Sequence, residues 1–179
     1  DPLYVQQYEN EKKALPGAGF YKDFKLTGYD YFDARGTVTF NVTKYIDVAF
    51  GYDRNFIGNG QRSLLLSDFG NNNLFLKLNT KIWKFNYQNL FMELHSAEIP
   101  GGDRLLPKKY AVMHHLDVNV TKGLNIGLFE GIMFGRRDRF DFGYLNPVIF
   151  YRSIEQQNGS FDNSVAGLDF KANVKKRVQ

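Results

Sequence analysis

Histidines and carboxylates near the middle of the chain are the first candidates for chemistry; they are Glu93, His95, Glu98, Asp103, His114 and His115. Such residues can bind a metal ion or, together with Ser96, can form a serine-based triad. The spacing supports neither, because no H-E-x-x-H or G-x-S-x-G motif occurs. On a strand, His114 and His115 also point to opposite faces, so at most one can join an interior site. We therefore expect no enzymatic activity, no metal site and no cofactor.

Basic and aromatic side chains alternate in a second segment, and they are Arg136, Arg137, Arg139, Phe140, Phe142, Tyr144, Phe150, Tyr151 and Arg152. Guanidinium groups form paired hydrogen bonds with carboxylates and phosphates, and aromatic rings can cover the apolar faces of sugars. Together they fit an acidic glycan. Lipid phosphates at a membrane surface are the alternative partner for the same basic residues.

Composition narrows the fold class. Aromatic residues make up 16% of the 179 residues, Gly occurs 17 times and Cys is absent, which favours β-structure and excludes disulfides and Cys-based zinc sites. A net charge of +4 with interspersed acids does not indicate a nucleic-acid partner. The apolar runs are far shorter than the ~20 residues that a membrane-spanning helix requires.

A two-residue period predicts β-strands. Even positions are apolar or small and odd positions polar from Phe32 to Val42, and the alternation resumes from Ile46 to Tyr52, which predicts a hairpin. Similar patterns bring the total to about seven strands; the remaining ones cover 74–80, 81–95, 110–120, 124–135 and 164–174. The apolar positions change parity near Gln88 and near Glu130, which predicts two bulges.

Short and long connections alternate along these strands. Tight turns are predicted where Asn and Lys recur together, at 41–44, 79–81, 119–122 and 173–176. The long connections are 54–73, 96–109 and 136–163. This asymmetry is typical of an outer-membrane barrel with short periplasmic turns and long extracellular loops.

The predicted fold is an all-β, antiparallel, up-and-down transmembrane β-barrel. A soluble lipocalin-like barrel, with the apolar side chains inside, is the alternative. Aromatic residues near strand ends favour the membrane; they are Tyr45, Tyr52, Trp83 and Tyr110. Seven strands fall short of the even number, eight or more, of such barrels, so we expect the chain to cover part of a larger one. Residues 1–27 are expected to form a periplasmic or loop segment, and 28–179 to form the barrel strands.

Four segments carry a resemblance to a known family. They are GYDRNFIGNGQRSLLLSD at 51–68, LNIGLFEGIMFGR at 124–136, YLNPV at 144–148, and Asp162-Asn163. In this order they resemble the Wzi-like capsule-assembly outer-membrane proteins, in the Bacteroidetes branch associated with gliding motility. The resemblance implies a large monomeric barrel in the outer membrane of a Gram-negative cell. It also implies a surface lectin that anchors capsular polysaccharide without catalysing a reaction.

The predicted function is binding of surface polysaccharide through extracellular loops. The candidate glycan-binding residues are Arg54, Arg62, Arg136, Arg139, Tyr144 and Asn146. Expected partners are the polysaccharide, outer-membrane lipid and lipopolysaccharide, and other outer-membrane proteins, with no nucleic acid. Two alternatives stay open: an accessory barrel subunit of a gliding-motility or secretion assembly, and a passive pore. Charged lumen positions such as Asp33, Arg35, Asp47, Asp53 and Arg54 could instead hold loops inward and plug the pore.

Overall fold

A seven-stranded antiparallel sheet dominates the computed structural model, which describes residues 14–15, 17–60, 63–95, 107–135, 139–146, 151, 153, 159 and 162–173. Each strand pairs with its neighbours in the sequence. The strands are β5 (Gly36–Thr43), β6 (Ile46–Asp53), β7 (Asn73–Ile82), β8 (Phe85–His95), β9 (Lys108–Thr121), β10 (Leu124–Phe134) and β11 (Asn163–Ala172). The predicted all-β, antiparallel fold class is therefore confirmed.

Smaller elements precede and interrupt this sheet. β1 (Ala14–Leu15) pairs with β2 (Gly19–Phe20), and β3 (Lys22–Phe24) pairs with β4 (Gly28–Asp30), each as a separate two-stranded sheet. A short 3₁₀-helix, Phe142–Leu145, lies between β10 and β11. Among the described residues, no helix is both long and apolar enough to cross a membrane.

The tight turns fall close to their predicted places, with one correction. β5 and β6 are joined at Lys44 and Tyr45, and β9 and β10 at Lys122 and Gly123. The turn predicted at 79–81 is wrong, because β7 continues to Ile82 and turns at Trp83 and Lys84. Trp83 has a left-handed backbone, with φ of 53°, which closes this turn. The turn predicted at 173–176 lies mostly outside the described residues.

The predicted bulges near Gln88 and Glu130 are also wrong. The pairing of β8 with β7 and β9, and of β10 with β9 and β11, runs unbroken through both positions. The register shifts lie instead beside tight turns, between Asn41 and Thr43 and between Leu124 and Asn125. The parity changes because both faces of the central strands carry buried apolar side chains, as the two clusters below show.

The register defines two faces of the sheet. The polar face carries the odd-numbered residues of β5, β6, β7, β9, β10 and β11 and the even-numbered residues of β8; the apolar face carries the others. Large hydrophobic side chains stay exposed along the apolar face, namely Val38, Phe40, Phe50, Tyr52, Leu74, Ile82, Phe85, Val120, Ile126, Leu128, Leu168 and Phe170. Apolar side chains are therefore concentrated on the face that the alternation predicts.

The connection between β6 and β7 covers part of the polar face. Ile57 is 1% exposed and forms an isolated bridge with Leu66, with backbone hydrogen bonds in both directions. Around Ile57 lies a first hydrophobic cluster, made of Ala49, Phe75, Leu90, Met92, Ala111, Met113 and Phe129, with Leu65, Leu66 and Leu94 at its margin. This segment thus folds back over the sheet.

A second hydrophobic cluster lies on the apolar face, near the end of the sheet where the long connections begin. It contains Phe91, Tyr110, Val112, Ile132, Phe134, Tyr144 and Tyr151, with Leu76, Leu78 and Phe140 at its margin. Tyr144 and Tyr151 come from the connection between β10 and β11, and both are fully buried. Part of the apolar face is therefore covered by the chain itself.

Candidate functional site

A histidine between two carboxylates forms the most concentrated polar group on the polar face. Nε2 of His115 lies 2.7 Å from Oδ2 of Asp169, and Nδ1 lies 3.5 Å from Oδ2 of Asp117. His115 and Asp117 are two residues apart on β9 and so share a face, whereas Asp169 comes from β11. The His115 side chain is only 4% exposed, so the contacts are largely shielded from water.

Gly127 of β10 makes this arrangement possible. In the sheet it lies directly between Asp117 and Asp169. A Cβ at this position would come within 2.7 Å of Nε2 of His115, and closer still to Oδ2 of Asp169. Because a real Cβ does not approach other atoms so closely, alanine at position 127 would force the ends of the His115 and Asp169 side chains to move.

The covering segment between β6 and β7 also reaches this cluster. Asn59 donates a hydrogen bond of 2.8 Å from Nδ2 to Oδ1 of Asp169, across 110 residues of sequence. On the other side, Asn86 of β8 donates from Nδ2 to Oδ2 of Asp117 at 3.3 Å. Oδ1 of Asp117 is buried and accepts no hydrogen bond from any residue that the structure describes. The cluster therefore joins four elements but leaves one carboxylate oxygen with unused acceptor capacity.

A polar cavity of about 300 Å³ lies beside the cluster, next to the turn between β9 and β10. Amides, a hydroxyl and charged groups line it, and the residues are Asn59, Asp117, Asn119, Thr121, Lys122, Gly123, Leu124, Asn125, Lys171 and Asn173. Two of these residues, Asp117 and Asn125, have a buried oxygen with no partner. The cavity thus offers water or a small polar ligand access to the side of the His115 cluster.

A second polar group is buried on the apolar face. Asn89 of β8 pairs with His114 of β9, which pairs in turn with Glu130 of β10. The ring of Tyr151 lies over His114, with 4.0 Å between ring centroids. Three buried polar atoms have no hydrogen-bond partner among the described residues: Oδ1 of Asn89, Nε2 of His114 and the hydroxyl of Tyr151. Burial raises the pKa of Tyr151, so its phenol stays neutral under ordinary conditions.

Charged residues are linked near the beginning of β5 and of β7. Arg35 forms two hydrogen bonds with the carboxylate of Asp33, at 3.3 and 3.0 Å, and Asn72 donates a third. These contacts, that of Arg35 first, lower the pKa of Asp33. Nearby, the guanidinium of Arg54 donates to the carbonyl of Gly17. The connection between β6 and β7 is therefore tied by polar contacts to the segment before β5 and to Gly17.

The six candidate glycan-binding residues are not all in equivalent positions. Arg54 is partly buried and contacts Gly17, whereas Arg139 and Asn146 are exposed. Tyr144 is fully buried, and its hydroxyl donates to Asp162 at 2.7 Å, so a ligand does not reach it in this arrangement. Arg62 and Arg136 lie outside the described residues.

The histidine and acid cluster expected from the sequence is assembled differently. His114 and His115 do point to opposite faces, but the carboxylates of His115 come from Asp117 and Asp169. Glu93 forms an ion pair of 2.8 Å with Lys108 instead. Ser96, Glu98 and Asp103 lie outside the described residues. The two-residue spacing could have indicated Asp117, whereas Asp169 and Asn59 required the pairing of distant segments.

Comparison with known proteins leaves the family assignment open. No protein-family model matches the chain, and neither a curated protein nor a solved structure matches it. A function for this chain must therefore be inferred from its residues and their geometry.

Proposed function

We propose that the chain forms part of the wall of an outer-membrane β-barrel and binds surface polysaccharide through its long connections, without catalysing a reaction. The observation that carries the barrel proposal is the set of large hydrophobic side chains that stay exposed on one face of the sheet, outside the part covered by the second hydrophobic cluster. In a soluble monomer, an apolar surface of this extent marks a contact with a partner or a membrane. Lipid is the partner that fits this face, because neighbouring strands all expose Val, Leu or Phe side chains on it.

The strand ends support the same proposal. Strands β7 to β11 have 10 to 14 residues, which suits a tilted membrane strand of about 9–11 residues. At the tight turns, the Lys44 ammonium lies 4.8 Å from the Tyr45 ring centroid and the Lys84 ammonium 5.1 Å from that of Trp83. Paired aromatic and basic side chains are typical of the interface between membrane and water.

Exposed groups on the 3₁₀-helix favour glycan binding. Arg139 and Asn146 flank Phe142, whose side chain is 78% exposed. A guanidinium, an aromatic ring and an amide together can bind a sugar's carboxylate, apolar face and hydroxyls, respectively. Tyr144 supports this surface from beneath, through its hydrogen bond with Asp162. We therefore assign direct contact to Arg139, Phe142 and Asn146 and a supporting role to Tyr144.

A passive pore is a weaker alternative. In a barrel, the polar face would line the lumen, and the segment around Ile57 covers part of it. A plugged lumen fits an anchoring protein better than a conducting channel. The hydrophobic cluster around Ile57 and the hydrogen bond from Asn59 to Asp169 would hold the segment in the lumen.

Adjacent residues on β5 allow a test of the membrane proposal. Thr39 and Phe40 are both exposed but lie on opposite faces. We expect Phe40→Lys to destabilise the protein folded in lipid vesicles by about 2–4 kcal/mol if the residue lies at the bilayer midplane. Thr39→Lys is the matched control and should have little effect. A larger loss for Thr39→Lys, or solubility of the native protein without detergent, would contradict the proposal.

Glycan binding is tested separately on the 3₁₀-helix. Native protein in detergent should be retained by an immobilised acidic polysaccharide, and the Arg139→Ala/Phe142→Ala variant should lose most of this retention. The control variant, Lys44→Ala/Tyr45→Ala, removes one cation and one ring at a tight turn of the opposite end and should be retained normally. Equal retention of both variants would refute the assignment of this surface.

A further inference from the structure

We propose that His115 and Asp169 bind a divalent transition-metal ion, with Asp117 orienting the imidazole. The proposal does not depend on the proposed function, because it uses only the contacts of β9, β10, β11 and Asn59. Imidazole and carboxylate are ligands that suit Zn²⁺, and to a lesser degree Mn²⁺ and Fe²⁺.

The distance between the two ligand atoms is close to what an ion requires. Nε2 of His115 and Oδ2 of Asp169 lie 2.7 Å apart, which is a hydrogen-bond distance. With bonds of about 2.1 Å and a tetrahedral angle at the ion, these atoms would lie about 3.4 Å apart. Rotation of the Asp169 carboxylate would therefore have to move its oxygen by less than about 1 Å. The ion would take the place of the proton that the two groups share.

The other ring nitrogen already faces the group that metal-binding histidines commonly contact. Nδ1 of His115 lies 3.5 Å from Oδ2 of Asp117. A carboxylate on the second nitrogen fixes the tautomer that leaves the first nitrogen free for the ion, and it increases the basicity of the ring. Among the described residues, the other oxygen of Asp117, Oδ1, is buried and has no hydrogen-bond partner, so a nearby cation would offset part of its buried negative charge.

Further ligands are at hand. The amide of Asn59 contacts the same Asp169 carboxylate at 2.8 Å and, turned over, offers its oxygen. The adjacent cavity of about 300 Å³ can hold water to complete the coordination shell. Gly127 leaves the space between the two ligand residues free of side-chain atoms. Lys122 and Lys171 line the cavity and oppose a cation, so the two carboxylates are needed to balance them.

The test uses the intact chain and Zn²⁺, Mn²⁺ or Co²⁺ alone. After removal of metal with a chelator, calorimetric titration should show one equivalent bound for at least one of these ions. Bound Co²⁺ should give the visible spectrum of a site with nitrogen and oxygen ligands. His115→Gln and Asp169→Asn should each weaken binding by at least about tenfold. Asp47→Asn, which removes a polar-face carboxylate on β6, is the control and should bind normally.

Folding of each variant is checked independently. Its circular dichroism spectrum and its amide hydrogen exchange in the long connections should match those of the native protein. If His115→Gln alters the fold, Asp117→Asn provides the second test, since it keeps the ligands but loosens their orientation and should weaken binding while preserving the stoichiometry. Absence of one-equivalent binding by the native protein, or binding unchanged in Asp169→Asn, would overturn the proposal. The cluster would then act as a hydrogen-bonded link between strands.

Discussion

Substitution of Gly127 by alanine tests whether a missing Cβ is what allows His115 to reach Asp169. Alanine normally suits a strand better than glycine, and the change should by itself stabilise the protein by roughly 0.5–1 kcal/mol. Here the new Cβ would lie within 2.7 Å of the His115 nitrogen and still closer to the Asp169 carboxylate. The two side chains must therefore separate, and we expect a net loss of stability.

The contact itself sets the size of that loss. A hydrogen bond that involves a charged group contributes about 1.5–3 kcal/mol, and overpacking of a well-filled site costs about 1–3 kcal/mol. These two costs are alternatives and not a sum, because moving the side chains apart relieves the overpacking by breaking the bond. After the gain from alanine, Gly127→Ala should destabilise the protein by roughly 1–2 kcal/mol.

The decisive assay repeats the substitution without the contact. Urea unfolding followed by circular dichroism would be measured for Gly127→Ala in the native protein and in a His115→Ala/Asp169→Ala background. In that background the effect should reverse sign, to a stabilisation of up to about 1 kcal/mol. Gly36→Ala is the control, since no atom lies within 4 Å of its would-be Cβ. An unchanged stability of Gly127→Ala, or the same loss in both backgrounds, would refute the reasoning.

Two further substitutions test contacts made by the connection between β6 and β7. Ile57→Ala should lower the local stability by about 2–5 kcal/mol, because removal of a side chain that is only 1% exposed leaves a cavity over the polar face. Hydrogen exchange at the Leu66 amide, which is hydrogen-bonded to Ile57, should become faster. Unaltered exchange would contradict this expectation. Arg35→Ala should raise the pKa of Asp33, because it removes the largest of the contacts that lower it, and carboxyl-carbon NMR titration measures this. Since the native contact lowers that pKa, its stabilisation exists above the unfolded pKa and is lost as the pH falls through the folded one. A pKa unchanged by the substitution would exclude the role of Arg35.

The strands were predictable because the two-residue period is a local property. From Val38 to Phe40 and from Ile46 to Tyr52, the large apolar side chains all lie on the apolar face, and the small Ala49 lies on the other. The order of strands was also predictable, since hairpins joined by tight turns leave little choice of partner. Among the tight turns within the described residues, the one predicted at 79–81 was misplaced, because Trp83 rather than an Asn-containing segment adopts the left-handed backbone.

The burial of both faces was not predictable. Near Gln88 the apolar residues change parity, and a period of two interprets this as a bulge. In the structure the parity changes because other segments cover both faces of β8. Leu90 and Met92 pack under the segment around Ile57, and Phe91 packs on the other face beside Tyr144. Which strand residues become buried in this way depends on where the long connections fold, and no local sequence pattern specifies that.

The candidate site was predictable only in part. The sequence placed His114 and His115 on opposite faces and singled out Arg139 and Asn146, both exposed. It did not connect His115 to Asp169, because that contact spans 54 residues and requires β10 between them to carry a glycine at one particular position. Chemistry built across a sheet becomes visible only once the register is known.

The neighbour-to-neighbour order of the seven strands has a consequence for the speed and sequence of folding. Three of the six strand pairs close over tight turns and can form with little loss of chain entropy, whereas the other three close over the long connections and lose more. The contacts of Asp169 with Asn59 and His115 span 110 and 54 residues and form only after β11 has docked. They would report the final stage of assembly, and their loss should accelerate unfolding far more than it slows folding.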